Sequence, residues 1–407
     1  MSLGPSPAAG TTPADELVTT PLLTHEVGSL MKPNWRVKAA AGRPIEDRDV
    51  EDARAWGERL GVDGFEQVVE ILRQAQREPL TAVQKDDLKR WSSRYGLALE
   101  EKAGLDVVYD GEQQRFEMYA GAVAFADGFE WRGSVRSFDN KYYSKAAVTG
   151  PISLREPYHN DEFAFLHSFA TAALKVPITG AYTIGDWSFD ERYSTDTSLG
   201  GAARERHARR KAARREMIVD VATNLIRPNL QALIALGARW LQVDEPAGST
   251  GPDELDLFVE SFNESVRGLE GAVFSTHLCF SDYNLFFPAI EGMTECSQFA
   301  VGFANDDSRD PGVSDEARPG YHVIRRFRDL PYRPALGLGV LDIHTDFVEP
   351  PELVRDRVLH AVQVFGDPDR IHVMPDCGLR TRSWDVALAK LTNMVVGTKQ
   401  AKEALGL

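Results

Sequence analysis

Trp240-Leu241-Gln242-Val243-Asp244-Glu245-Pro246 is the stretch that decides the fold. It is shorter than an ordinary helix, apolar at Trp240, Leu241 and Val243, and bounded by Gly237 before it and Pro246 at its end, so it reads as a strand. Its carboxylates, Asp244 and Glu245, come last, at the C-terminal end. Both flanks are helical in period. Upstream, Arg204 to Arg215 carries seven basic residues in twelve; the helix continues through Met217, Ile218, Val221 and Leu225, is interrupted near Pro228, and resumes through Leu230, Leu233 and Leu236 until Gly237. The basic run reads as a solvated helical face or as a contact for an acidic partner. Downstream, Leu255 to Val266 is a further helix.

The alternation extends both ways. Toward the C-terminus, strands are expected at Ala272 to Cys279, Phe299 to Ala304, Ala335 to Ile343 and Ile371 to Pro375, with helices around Leu285 to Ile290 and from Pro351 to Phe365. Toward the N-terminus, strands are expected at Thr19 to Val27, Val107 to Tyr109 and Val176 to Ile184. Polar or aromatic groups follow these runs: Ser29, Asp110 and Glu112, Trp187, His344 and Cys377. Strand and helix in alternation predict a parallel sheet, and polar groups repeated at C-terminal strand ends predict an α/β fold of the (β/α)8 TIM-barrel type, whose sites lie on that face. Two additions decorate it. Ile45 to Leu105 predicts extra N-terminal helices, with Thr81 and Gln84 at capping-box spacing, and Phe129 to Ser137 with Lys145 to Gly150 predicts an inserted β-ribbon. The domain reading is a disordered tail over residues 1–18 and a single catalytic barrel over 19–407.

A net charge of −15 argues against a general affinity for nucleic acid, which needs excess Lys and Arg. No run approaches the ~18 apolar residues of a membrane span. Three cysteines, Cys279, Cys296 and Cys377, are too few for a disulfide framework, and Met1 to Glu16 lacks the basic start and apolar core of a signal peptide, so a cytoplasmic setting is expected.

His277 and Cys279 are two residues apart, so an extended chain turns both to one side, and Cys377 arrives from the last strand. Zn²⁺ takes His nitrogen and Cys sulfur, and three protein ligands leave one position for a substrate. Two free thiols and a core histidine are the other reading of the same residues. With zinc, a thiolate-rich site suits a third sulfur, which points to alkyl transfer to a thiol.

Together these motifs resemble a known family. Val27-Gly28-Ser29, Asp110-Gly111-Glu112, Gly133 to Arg136, Trp187-Ser188-Phe189, Gln242 to Ala247, His277-x-Cys279, Asp342-Ile343-His344 and Pro375-Asp376-Cys377-Gly378-Leu379-Arg380-Thr381-Arg382 stand in the order of the catalytic, C-terminal barrel of cobalamin-independent methionine synthase. The resemblance runs from about Thr19 to Leu407. It implies zinc on His277, Cys279 and Cys377, homocysteine with its carboxylate at Ser29 and its ammonium at Glu112 and Asp244, His344 as proton donor or relay, and Trp187 against the pterin of the methyl donor. One departure stands out. The family's fourth zinc ligand, a glutamate on the next strand, is replaced by Gly302, and an acid from elsewhere such as Glu245 is one substitute. The family's duplicated N-terminal half has no counterpart in this sequence, which leaves the donor as a methyl-folate or a methyl-corrinoid, free or on a carrier protein. The expected activity is zinc-dependent methylation of homocysteine to methionine. Transfer to another thiol such as coenzyme M, or a non-catalytic barrel binding an amino acid or a corrinoid partner, are the alternatives.

Overall fold

The computed structural model describes residues 14–136, 142–194, 202–279 and 281–407. Among these residues ten strands are seen: β1 (Val107–Val108), β2 (Ala126–Arg136), β3 (Tyr142–Leu154), β4 (Ala173–Thr179), β5 (Phe189–Asp190), β6 (Trp240–Asp244), β7 (Val273–Leu278), β8 (Gln298–Val301), β9 (Ala335–Gly339) and β10 (Ile371–Met374). Seven of them form one sheet in the order β1-β4-β6-β7-β8-β9-β10, with every neighbouring pair parallel. The sheet curls. Its two edges meet at one short segment, where Thr24 pairs with Val373 of β10 and His25 with Val107 of β1, both in parallel. The hydrogen bonds are real ladder bonds, His25 N to Val373 O at 3.0 Å and Val107 N to Thr24 O at 3.1 Å.

The register matters more than the outline, because it sets which side chains share a level. Asp244 stands beside His277, and His277 beside Ala300. Side chains alternate along each strand, so Gln242 and Asp244 face the same way, as do Ser275 and His277. The inward face is partly polar. Gln298 Nε2 lies 3.0 Å from His25 Nε2 and 2.7 Å from His372 Nδ1, and Trp240 Nε1 donates to Ser275 Oγ at 2.9 Å.

Several elements depart from expectation. The run from Val176 does not stay extended to Ile184: β4 ends at Thr179 and Ala181–Trp187 is helical. The cause lies just past the neighbouring strand, where the buried Glu245 carboxylate accepts from Tyr182 N at 3.1 Å, Thr183 N at 2.8 Å and Thr183 Oγ1 at 2.6 Å. An acid over the first-turn amides starts a helix there. The helix expected around Leu285 to Ile290 is two 3₁₀ turns, Tyr283–Phe286 and Ala289–Gly292, separated at Pro288, which has no amide to continue the ladder.

The ribbon is present and longer than predicted, β2 antiparallel to β3, with β5 added in parallel; Ser137 lies outside the described residues. Of the tail expected over 1–18, residues 1–13 also lie outside them, while Ala14–Thr19 is helical and buries Leu17 with Trp240 and Val273. Four further helices precede β1: Asn34–Ala40, Asp47–Leu60, Glu66–Ala75 and Ala82–Ala103. The last opens on the predicted box, Gln84 N to Thr81 Oγ1 at 3.2 Å and Thr81 N to Gln84 Oε1 at 3.0 Å. The basic helix, Ala203–Val221, passes through a π turn, Ala222–Ile226, into Arg227–Ala235, and its Arg214 is spent inside the fold on Asp186 and Glu254, each at 2.7 Å. No helix among the described residues is long and apolar enough to cross a membrane.

Candidate active site

Three soft ligands meet at the end of β7. His277 Nδ1 lies 3.0 Å from Ala300 O on β8. A carbonyl can only accept, so Nδ1 carries the proton and Nε2 presents its lone pair, 3.3 Å from Cys377 Sγ. Cys279 Sγ lies 3.2 Å from Cys377 Sγ, and ligand atoms of the three residues all fall within 4.8 Å of one another. Two sulfurs at ~2.3 Å from a tetrahedral ion would stand ~3.7 Å apart, so this donor set fits Zn²⁺ with small adjustment.

The turn that carries Ser29 is pressed against the cysteine loop. A Cβ on Gly378 would lie 2.5 Å from Ser29 Oγ and 2.9 Å from Ser29 N, so only glycine after Cys377 lets the two segments approach. Leu30 N then bonds Gly111 O at 3.0 Å, which ties the same turn to the segment after β1. Ser29 and Cys377 line one hollow with Glu26, Gly28 and Gly378.

Glu112 is delivered from the β1 side by strained backbone. Gly111 at φ 68° and Glu112 at φ 58° are both left-handed, and the second is costly for a residue with a Cβ. The Glu112 amide is held by Asp110 Oδ1 at 2.7 Å. A Cβ on Gly28 would sit 3.4 Å from Glu112 Oε1, so the carboxylate lies over that glycine. Arg115, pinned by Glu162 at 2.7 Å and Pro177 O at 2.7 Å, stands 3.5 Å from it.

Asp244 closes the ring beside His277. It is 8% exposed, and burial pushes its carboxyl up to about 7, with His277 acting in the opposite sense. A cation arriving at this acid would pull it back toward the charged form.

The other two expected residues sit further out. Trp187 is half-buried at the end of its helix, its ring 5.5 Å from Tyr143 and 6.2 Å from Tyr119, among aromatics of the ribbon side. His344 is exposed on the loop after β9, where its amide donates to Asp342 Oδ1 at 2.9 Å.

Gly302 follows β8, at the level where a fourth ligand was sought. A Cβ there would meet Asp376 Cβ at 2.9 Å and Asp376 O at 3.0 Å. Asp376 itself accepts from the amides of Phe303 and Ala304, each at 2.9 Å, and Asn305 at 2.7 Å. Glu245, the substitute considered above, is committed to Tyr182 and Thr183 instead, and Cys296 is buried with its thiol on Gln298 O. Sequence reasoning missed Asp376 as a loop anchor, Arg115 with Glu162, and the polar residues below Asp244. The glycine at 302 was the one visible trace of the first.

The catalytic-domain model of the cobalamin-independent synthases matches residues 65–400. A methionine synthase of Thermoplasma acidophilum is 33% identical over 386 residues, covering 93% of this chain and 97% of that protein. One from Thermococcus kodakarensis is 32% identical over 390 residues, 94% of each. Among solved structures, a B12-independent methionine synthase from Shewanella sp. W3-18-1, in complex with selenomethionine, superposes with a TM-score of 0.70 at 21% identity, over 95% of this chain and 100% of that one.

Proposed function

The chain belongs to the cobalamin-independent methionine synthase family, and from that membership we propose that it moves a methyl group to the thiol of homocysteine, forming methionine. The observation that carries the reading is the meeting of His277, Cys279 and Cys377 within 4.8 Å. Ser29 lines one hollow with Cys377, and Asp244 stands beside His277. These three metal-site residues would hold Zn²⁺, whose chemistry there is to lower a thiol's pKa so that sulfur reacts as thiolate.

The remaining steps belong to the chain's own groups. Ser29 and the amides of its turn receive the substrate carboxylate, while Glu112 and Asp244 receive its ammonium, which fixes the sulfur toward the metal-site end. That orientation supplies much of the acceleration, since the reacting atoms no longer have to find each other. The sulfur–methyl bond forms as the donor–methyl bond breaks, and the thiol proton leaves to solvent. With a methyl-folate donor the leaving nitrogen takes a proton, for which His344 on the rim is suited. Trp187, with Tyr119 and Tyr143 beside it, suits the flat ring of a pterin. A methyl-corrinoid, free or protein-bound, needs no such proton.

For the scaffold we count Thr24-His25 as the eighth strand of a (β/α)8 barrel, a single domain that takes in the Ala14–Thr19 helix. The deciding experiment incubates the zinc-loaded protein with homocysteine and either methyl-folate or methylcobalamin and measures methionine. Methionine from one donor supports the reading and names the donor; none from either, together with no binding of homocysteine by the zinc-loaded protein, overturns it.

A further inference from the structure

Beneath Asp244 lies a set of buried hydrogen bonds that the proposed reaction does not itself use. Lys175 on β4 is fully buried, and its Nζ donates to Gln242 Oε1 at 2.6 Å and to the Glu26 carbonyl, with Glu26 Oε1 at 3.5 Å as counter-ion. Gln242 Nε2 donates to Val27 O at 2.5 Å and to Asp244 Oδ1 at 2.8 Å. The amide has no choice of orientation. Val27 O can only accept, so the nitrogen end must face it, and the oxygen end must face the Lys175 donors. Asp244 Oδ1 thereby accepts one N–H, and the carboxylate keeps acceptor capacity for an incoming donor.

One side chain therefore touches both ends of an amino-acid pocket. Val27 begins the Val27-Gly28-Ser29 turn assigned to the carboxylate, and Asp244 is assigned to the ammonium. Gln242 bonds to each, and Lys175 bonds both to Gln242 and to the residue before Val27. We propose that Gln242, clamped by Lys175, is a positioning residue that fixes the spacing between Asp244 and the Ser29 turn, and so selects thiols bearing an α-amino-acid head group over thiols that lack the ammonium. The inference rests on the homocysteine reading above. It adds which residues set the selectivity.

The test is direct binding to the full chain, by calorimetry, of L-methionine and of 4-(methylthio)butanoate, the same molecule without its ammonium. Wild type is expected to prefer methionine. In Gln242→Glu the new side chain still accepts from Lys175 but cannot donate to Val27 or Asp244. The expected result is a roughly 10- to 100-fold loss for methionine, the size of a lost hydrogen bond to a charged group, with a much smaller loss for the deamino ligand, which uses the Ser29 turn but not Asp244. Gln242→Met and Lys175→Met should collapse the same ratio, and thermal melting identifies any variant that fails to fold; Gln242→Glu, closest in shape, carries the test if Lys175→Met does. A variant that weakens both ligands equally, or keeps the wild-type ratio, overturns the proposal. If wild type itself binds no methionine, the homocysteine reading falls, and this inference with it.

Discussion

The two halves of the site are assembled from very different distances along the chain. The metal half needs two strand ends: His277 and Cys279 share one, and Cys377 arrives on another. The amino-acid half, as proposed, draws on Ser29, Glu112 and Asp244, and its supports, Glu26, Arg115, Lys175 and Gln242, are spread over more than two hundred residues. In the first half ligand identity is nearly everything. In the second, geometry is imposed by buried neighbours that hold the proposed binding groups in place. The halves should therefore fail in different ways.

The largest effect is expected in the metal half. Cys377→Ala or His277→Ala should abolish stoichiometric zinc and cut methionine formation by roughly a thousandfold or more, the several kcal/mol a catalytic metal supplies. Metal analysis beside an activity assay checks this. Full activity in a metal-free double variant would sink the idea that this half does the thiol chemistry. The amino-acid half should respond more gently. Asp244→Asn keeps the shape but removes the charge, so KM for homocysteine should rise by about 10- to 100-fold while kcat moves less. Glu112→Gln should act in the same direction and more weakly, since Glu112 is half-buried rather than enclosed. A fall in kcat with KM unchanged would mean the acids serve chemistry and not binding.

The same contrast explains what could be read before any coordinates. His277-x-Cys279 needs only the period of a strand to be recognised, and the polar ends of the strands needed only alternation with helices to suggest a parallel sheet. Gln242 lies inside the stretch that gave the fold away, yet its partners, Val27 and Lys175, become neighbours only when the sheet curls. Ala181 to Ile184 read as more strand because its residues are apolar; the acid that turns it into helix, Glu245, is some sixty residues away. At 302 the missing side chain was legible, but not its cause. Asp376 fills that space because three amides of the next loop hold it there.

That cause can be tested where the two halves adjoin. Restoring an acid by Gly302→Glu should not recruit a fourth ligand, since its Cβ would have to displace Asp376, 2.9 Å away. The expected result is a loss of about 1–3 kcal/mol in stability from overpacking, read as a lower melting temperature, with no gain in zinc affinity by chelator competition. Tighter zinc at an unchanged melting temperature would show that the loop yields easily, and that Asp376 is not what keeps the position bare.

The smallest effect separates stability from site geometry altogether. Thr81 caps the Ala82–Ala103 helix through Gln84 N at 3.2 Å, on an exposed surface. Thr81→Ala should cost about 1 kcal/mol, the usual value of an N-cap oxygen, and lower the melting temperature by a few degrees. Zinc content and KM for homocysteine should both stay at wild-type values, because neither half of the site depends on the first turn of that helix. If KM rose with the loss of this cap, a general loosening would also mimic the Asp244 phenotype, and the distinction between the two halves would have to be redrawn from binding data taken at matched stability.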